Sequence, residues 1–130
     1  MLGRQLVLEL FGCDRGRLDD VDFLREQCVA AAEAMRATIV SAHAHRFHPV
    51  GVSVVVVLSE SHLALHTWPE HGCASADIFV CSPTTDPHRA KQYLADCLRS
   101  SRTTELELHR GTPGPRTAAE NPLEPATGTP

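Results

Sequence analysis

The run VSVVVVL, Val52 to Leu58, restricts the fold more than any other stretch of the chain. β-Branched side chains lose rotamer freedom in a helix and pack well on a pleated surface, so this density of valine specifies a strand. Because the valines are continuous rather than alternating with polar residues, the strand reads as covered on both faces. Helices of the same chain can cover one face of such a sheet. Any face they leave open would seek a second copy.

The flanking segments supply the rest of the sheet. RQLVLELF, Arg4 to Phe11, has strand character, and GCDRGRLDD then brings turn and helix-start chemistry. From Asp19 to Ala37, the residues Val21, Leu24, Cys28, Ala31, Ala32 and Met35 recur at three- and four-residue steps, predicting an amphipathic helix. TIVSAHAHRFHP predicts a strand that pairs with the valine strand through a turn at His48 to Gly51. HLALHTW and ASADIFVC add two more strands, PHRAKQYLADCLRSS a second helix, and TTELELH a closing strand. The order β-α-β-β-β-β-α-β predicts an α+β fold: a two-layer sandwich of a mainly antiparallel sheet with two helices on one face, dimerising to a multilayer assembly. Residues 1–110 form this domain. The stretch 111–130, GTPGPRTAAENPLEPATGTP, is rich in Pro, Gly and Thr with a single Leu, and is expected to be a disordered tail.

Of the 130 residues, 42% are apolar, enough for one core. A net charge of −4 offers no basic face to a nucleic-acid backbone, so nucleic acid is not an expected partner. No apolar run approaches the roughly 18 residues of a membrane span, and the N-terminus lacks a charged leader with a cleavable apolar region. A cytoplasmic location is the expectation. The five cysteines contain no C-x-x-C pair and read as free thiols.

Three groups could carry chemistry. His43 and His45 share a strand face and could chelate a metal with one further ligand, but His62 and His66 lie about 13 Å apart on an extended strand and no Cys or carboxylate stands at ligand spacing, so no metal is expected. Cys81 ends an apolar strand, where a thiol is either a small core residue or, opening on a cleft, a proton donor or nucleophile. Glu60-Ser61 interrupts two apolar segments where Gly or Asn-Gly would make the easier turn. The G-x-S-x-G elbow is absent, and the residues alone leave a polar turn and a nucleophile both open.

HRFHPVGVSVVVVLSESHLALHTWPEHG followed by ADIFVC, with LGRQLVLELFGCDR before and DPHRAKQYL after, resembles the prokaryotic S-adenosylmethionine decarboxylase proenzymes over roughly Leu2 to Gly111. The resemblance implies a self-processing lyase cut between Glu60 and Ser61, with Ser61 converted to a covalent pyruvoyl group that forms a Schiff base with S-adenosylmethionine. It makes Ser53 and His66 the residues that assist processing, adjacent strands bringing both to the Ser61 turn. It makes Cys81 the proton donor in turnover, with Phe47 stacking on adenine, Glu70 holding the ribose and His66 also at the substrate. Two processed protomers would form a homodimer with shared sites, making decarboxylated S-adenosylmethionine for spermidine and other polyamines. The chain reads EHGCAS and VCS where relatives often read EYGYAA and TCG. These changes fall on pocket-lining positions and keep a pyruvoyl-dependent arginine or ornithine decarboxylase, or a non-catalytic relative, as alternatives.

Overall fold

The computed structural model describes residues 2–111. Its strands are β1 (Gly3–Phe11), β2 (Ile39–Arg46), β3 (Val52–Leu58), β4 (Ser61–Trp68), β5 (Cys73–Val80) and β6 (Arg102–Arg110), with helices α1 (Val21–Ala34) and α2 (Pro87–Cys97). They form one sheet in the order β2-β3-β4-β5-β1-β6, with every neighbouring pair antiparallel. Consecutive strands β2 to β5 build a meander. β1 then lies beside β5, and β6 beside β1, each reached across a helix.

Both helices start where a side chain replaces missing backbone partners. Asp20 accepts from Phe23 N–H at the head of α1, and Asp86 accepts from His88 N–H at the head of α2, with Pro87 in the first turn. The stripe Leu24, Cys28, Ala31 and Ala32 of α1 is fully buried, as are Ala90 and Leu94 of α2. α1 packs on β2 and β3, α2 on β1 and β5, and the helices touch each other. Alternate strand residues meet them: Leu6, Leu8, Leu10, Val52, Val54, Val56, Leu63, Leu65 and Ile78 form the core.

The valine strand departs from the expected two-sided cover. Val52, Val54 and Val56 are at most 1% exposed, whereas Val55 and Val57 remain 38% and 37% exposed. Both helices lie on one face, so odd-numbered positions of β3 open on the other. That open face also carries Trp68, Leu106 and Leu108, all exposed. The expected tail lies outside the described residues beyond Gly111. Among the described residues, no helix is long and apolar enough to cross a membrane.

Candidate active site

The β3–β4 hairpin turns through Ser59 and Glu60, with Leu58 opposite Ser61. Ser61 has φ 145°, a backbone conformation that residues with a Cβ rarely adopt. Such an angle costs on the order of 1–3 kcal/mol and persists only where the surroundings enforce it. The enforcement is visible. Cys81 N–H donates to the Glu60 carbonyl at 2.9 Å, and Ser59 N–H donates to the Thr38 carbonyl at 2.9 Å. The Glu60 carboxylate accepts from Thr38 N–H (2.9 Å) and from Thr38 Oγ1–H (3.1 Å). The Thr38 N–H is the main reason the Glu60 carboxyl titrates below the ordinary carboxylate range.

Chemically, the strained torsion sits on the amine side of the Glu60–Ser61 amide. The donor from Cys81 polarises the carbonyl on the acyl side, where negative charge would develop if the neighbouring Ser61 hydroxyl attacked. Cys81 is exposed, unlike buried Cys13 and Cys28. Burial pushes the Cys28 thiol well up and holds Cys97 at about 11, so these two stay protonated core thiols.

A second cluster sits at the far end of the same hairpin. Ser53 and His66 are directly opposite in the β3–β4 register, with Ser53 Oγ 2.7 Å from His66 Nδ1. If Nδ1 carries the ring proton and donates it to Ser53, Nε2 is left as a base. The two residues project on the open face. They line a groove of about 330 Å³ with Phe47, Gly51, Thr67, Trp68 and Glu70. Gly51 shapes it: at φ 110° it turns β2 into β3 and accepts the Phe47 N–H at 2.8 Å. A Cβ there would come within 3.3 Å of the Thr67 carbonyl. Glu70 is held in a 3-10 turn (Pro69–His71) that follows β4.

Thus the structure joins the expected residues into two groups. Glu60, Ser61 and Cys81 meet at one end, and Phe47, Ser53, His66 and Glu70 at the other. The expectation that adjacent strands bring Ser53 and His66 to the Ser61 turn does not hold within one chain. Five residue steps of β4 separate His66 from Ser61, about 17 Å at strand rise. Antiparallel register is the reason: what lies opposite His66 is Ser53, and what lies opposite Ser61 is Leu58.

Sequence reasoning missed Trp68 and Thr38. Trp68 is in phase with His66 on the alternation of β4, a signal that was available; nothing in the sequence marks Thr38. His43 bonds Ser41 Oγ at 3.0 Å, and His45 meets Phe47 edge to face at 4.6 Å. Among the described residues there is no group of three or more His, Cys, Asp or Glu side chains arranged for a metal ion.

Residues 4–111 match the sequence profile of a family described as S-adenosylmethionine decarboxylase. The chain is 47% identical over 110 residues to the S-adenosylmethionine decarboxylase proenzyme of Thermotoga maritima, covering 85% of each. It is 44% identical over 116 residues to the proenzyme of that name from Pseudomonas paraeruginosa, covering 89% of this chain and 72% of the relative. The crystal structure of the adenosylmethionine decarboxylase from Aquifex aeolicus superposes with a TM-score of 0.80 at 34% identity, over 88% of this chain and 95% of that one.

Proposed function

The chain belongs to the S-adenosylmethionine decarboxylase family, and from that premise we propose that it decarboxylates S-adenosylmethionine with a pyruvoyl group made from its own Ser61. The product is an aminopropyl donor for spermidine and other polyamines. The observation that carries the reading is the Glu60–Ser61 bond itself, with φ 145° on one side and the Cys81 N–H on the carbonyl of the other.

The residues fit the group they would generate. Ser61 Oγ attacks the Glu60 carbonyl carbon; the C–N bond breaks, the hydroxyl proton passes to nitrogen, and an ester replaces the amide. A base then removes the Ser61 α-proton, the Cβ–Oγ bond breaks, and Glu60 leaves as a carboxylate. The dehydroalanine left at position 61 takes up water and loses ammonia, giving the pyruvoyl ketone. Residues up to Glu60 form one product chain, and those from position 61 the other. The pyruvoyl group supplies an electron sink for an α-amino acid losing carbon dioxide, the role other enzymes give to pyridoxal phosphate.

The chain's own residues do the rest. Cys81 Sγ holds the proton delivered to the substrate α-carbon. Phe47 offers a ring face to adenine, and Glu70 two acceptors to ribose hydroxyls. His66 is the base for the α-proton during processing, and Ser53 steadies its ring and the oxyanion.

The separation of His66 from Ser61 supports a homodimer with sites shared between copies. A two-fold axis lying between two open faces, across the strands, sets the Ser53–His66 end of one sheet against the Ser61 end of the other, twice. Processing residues then act on the partner's bond. Apolar Val55, Val57, Leu106 and Leu108 on the open face suit such burial.

Intact mass of purified protein tests the processing: wild type should give two chains divided at Glu60–Ser61, and Ser61→Ala one. Normal cleavage of Ser61→Ala would sink the mechanism. Co-expressing Ser61→Ala with His66→Ala separates the two geometries. Shared sites restore cleavage to the His66→Ala chain, which supplies an intact bond to the partner's His66. Cis processing leaves both chains whole. Carbon dioxide release from S-adenosylmethionine, with arginine and ornithine alongside, then identifies the substrate.

A further inference from the structure

The self-cleavage reading leaves open why the turn keeps its strain instead of relaxing. Ser59 and Glu60 lie at the tip of a two-strand hairpin, where a small rotation of either would relieve Ser61. From three hydrogen bonds we infer that Thr38, which the sequence did not mark, is a positioning residue for the self-cleavage described above, fixing the acyl half of the Glu60–Ser61 bond so that only the serine half moves.

Thr38 precedes β2, whose first residue, Ile39, is opposite Leu58 at the end of β3. It therefore sits beside the turn, immediately before a strand that the sheet anchors. Its carbonyl accepts the Ser59 N–H, and its N–H and hydroxyl each donate to one oxygen of the Glu60 carboxylate. Cys81 N–H holds the carbonyl of the same residue. Glu60 is thus tied at both its side chain and its backbone oxygen, from β2 on one side and from the end of β5 on the other. A rotation at Glu60 that relaxed φ at Ser61 would have to break these bonds. The acyl shift requires the serine oxygen to reach a stationary carbonyl carbon, and fixing that carbon raises the fraction of time the pair spends in attacking geometry.

The hydroxyl of Thr38 is the separable part of this clamp. Thr38→Val preserves the β-branched shape and the backbone N–H but removes one donor to a charged acceptor, and should slow cleavage by about tenfold or more. Cleavage after synthesis in a cell-free system, chased on a denaturing gel, gives the rate. Thr38→Ser should restore it. Hydroxylamine, which cuts esters, should not accelerate the Thr38→Val chain, because the defect precedes ester formation; a His66→Ala chain, blocked after the ester, should be cut by it. Glu60→Gln weakens the same contact from the other side and should also slow the acyl shift. Thermal unfolding of each uncut variant reports whether it is folded.

A wild-type chain cut at this bond beside a Thr38→Val chain cut equally fast overturns the role of Thr38 alone. So does a slow Thr38→Val chain that hydroxylamine rescues, or a Thr38→Ser chain that stays slow. A wild-type chain left whole overturns the self-cleavage reading and this inference with it.

Discussion

Cys81 contributes two atoms to two different events. Its backbone N–H faces the Glu60 carbonyl, and any residue except proline supplies that donor. Its thiol is exposed and belongs, on the proposed mechanism, to turnover alone. Cys81→Ala should therefore cleave near the wild-type rate and lose carbon dioxide release by at least about 100-fold, the scale of a lost acid catalyst. Cys81→Pro should lose cleavage as well. Gel densitometry with a radiolabelled carboxyl assay separates the two; a Cys81→Ala chain that stays uncut shows that the thiol, too, acts in processing. At this scale the sequence drew attention to Glu60-Ser61 and Cys81 by residue type and place, while the roles of Ser53, His66, Phe47 and Glu70 came only through the family resemblance. Thr38 drew none, because its significance comes from a turn 22 residues away.

Among the elements, the groove depends on how the β2–β3 turn is tied to the start of α1. Asp19, in the 3-10 turn Arg17–Asp19, accepts from Gly51 N–H at 3.0 Å and from Arg46 Nη2 at 2.7 Å. Thr67 adds a buried link, accepting Val52 N–H and donating to the Leu18 carbonyl. The Gly51 N–H, then the Arg46 guanidinium, hold the Asp19 carboxyl below its ordinary range. A carboxylate depressed in the folded state contributes stability above its unfolded pKa and loses it as pH falls through the lower folded value. Asp19→Asn should thus lower the unfolding midpoint at neutral pH, and its gap from wild type should shrink below about pH 4. Thermal unfolding from pH 7 to pH 3 reads this directly; a gap that stays constant or widens in acid would mean that Asp19 is not the titrating link. The elements themselves were readable from periodicity: all six strands and both helices fall where the apolar spacing puts them, with ends shifted by a few residues where α1 stops at Ala34 and α2 at Cys97.

For the whole molecule, the open sheet face carries the consequence. Val55 lies between His43 and Ala64 in the register, away from both residue groups of the site. A charge there leaves the helix-covered core untouched but opposes burial against another copy. On the proposed shared-site dimer, Val55→Glu should shift the protein to monomer by sedimentation while keeping its thermal transition, and should leave Glu60–Ser61 uncut. A folded monomer that cleaves itself fully would show that one chain suffices. The sequence by itself determined the order of elements and the residue types at the Glu60–Ser61 turn, because these follow from local periodicity and from side-chain chemistry. Only the tertiary structure decided that the Ser53–His66 pair and Glu60–Ser61 occupy opposite ends of one hairpin, that both helices leave the odd face of the valine strand bare, and that Thr38 braces the turn. Register and layer choice depend on pairings between distant residues. The LSESH turn is strained at Ser61 because Thr38 and Cys81, brought in by β2 and β5, hold Glu60 from either side.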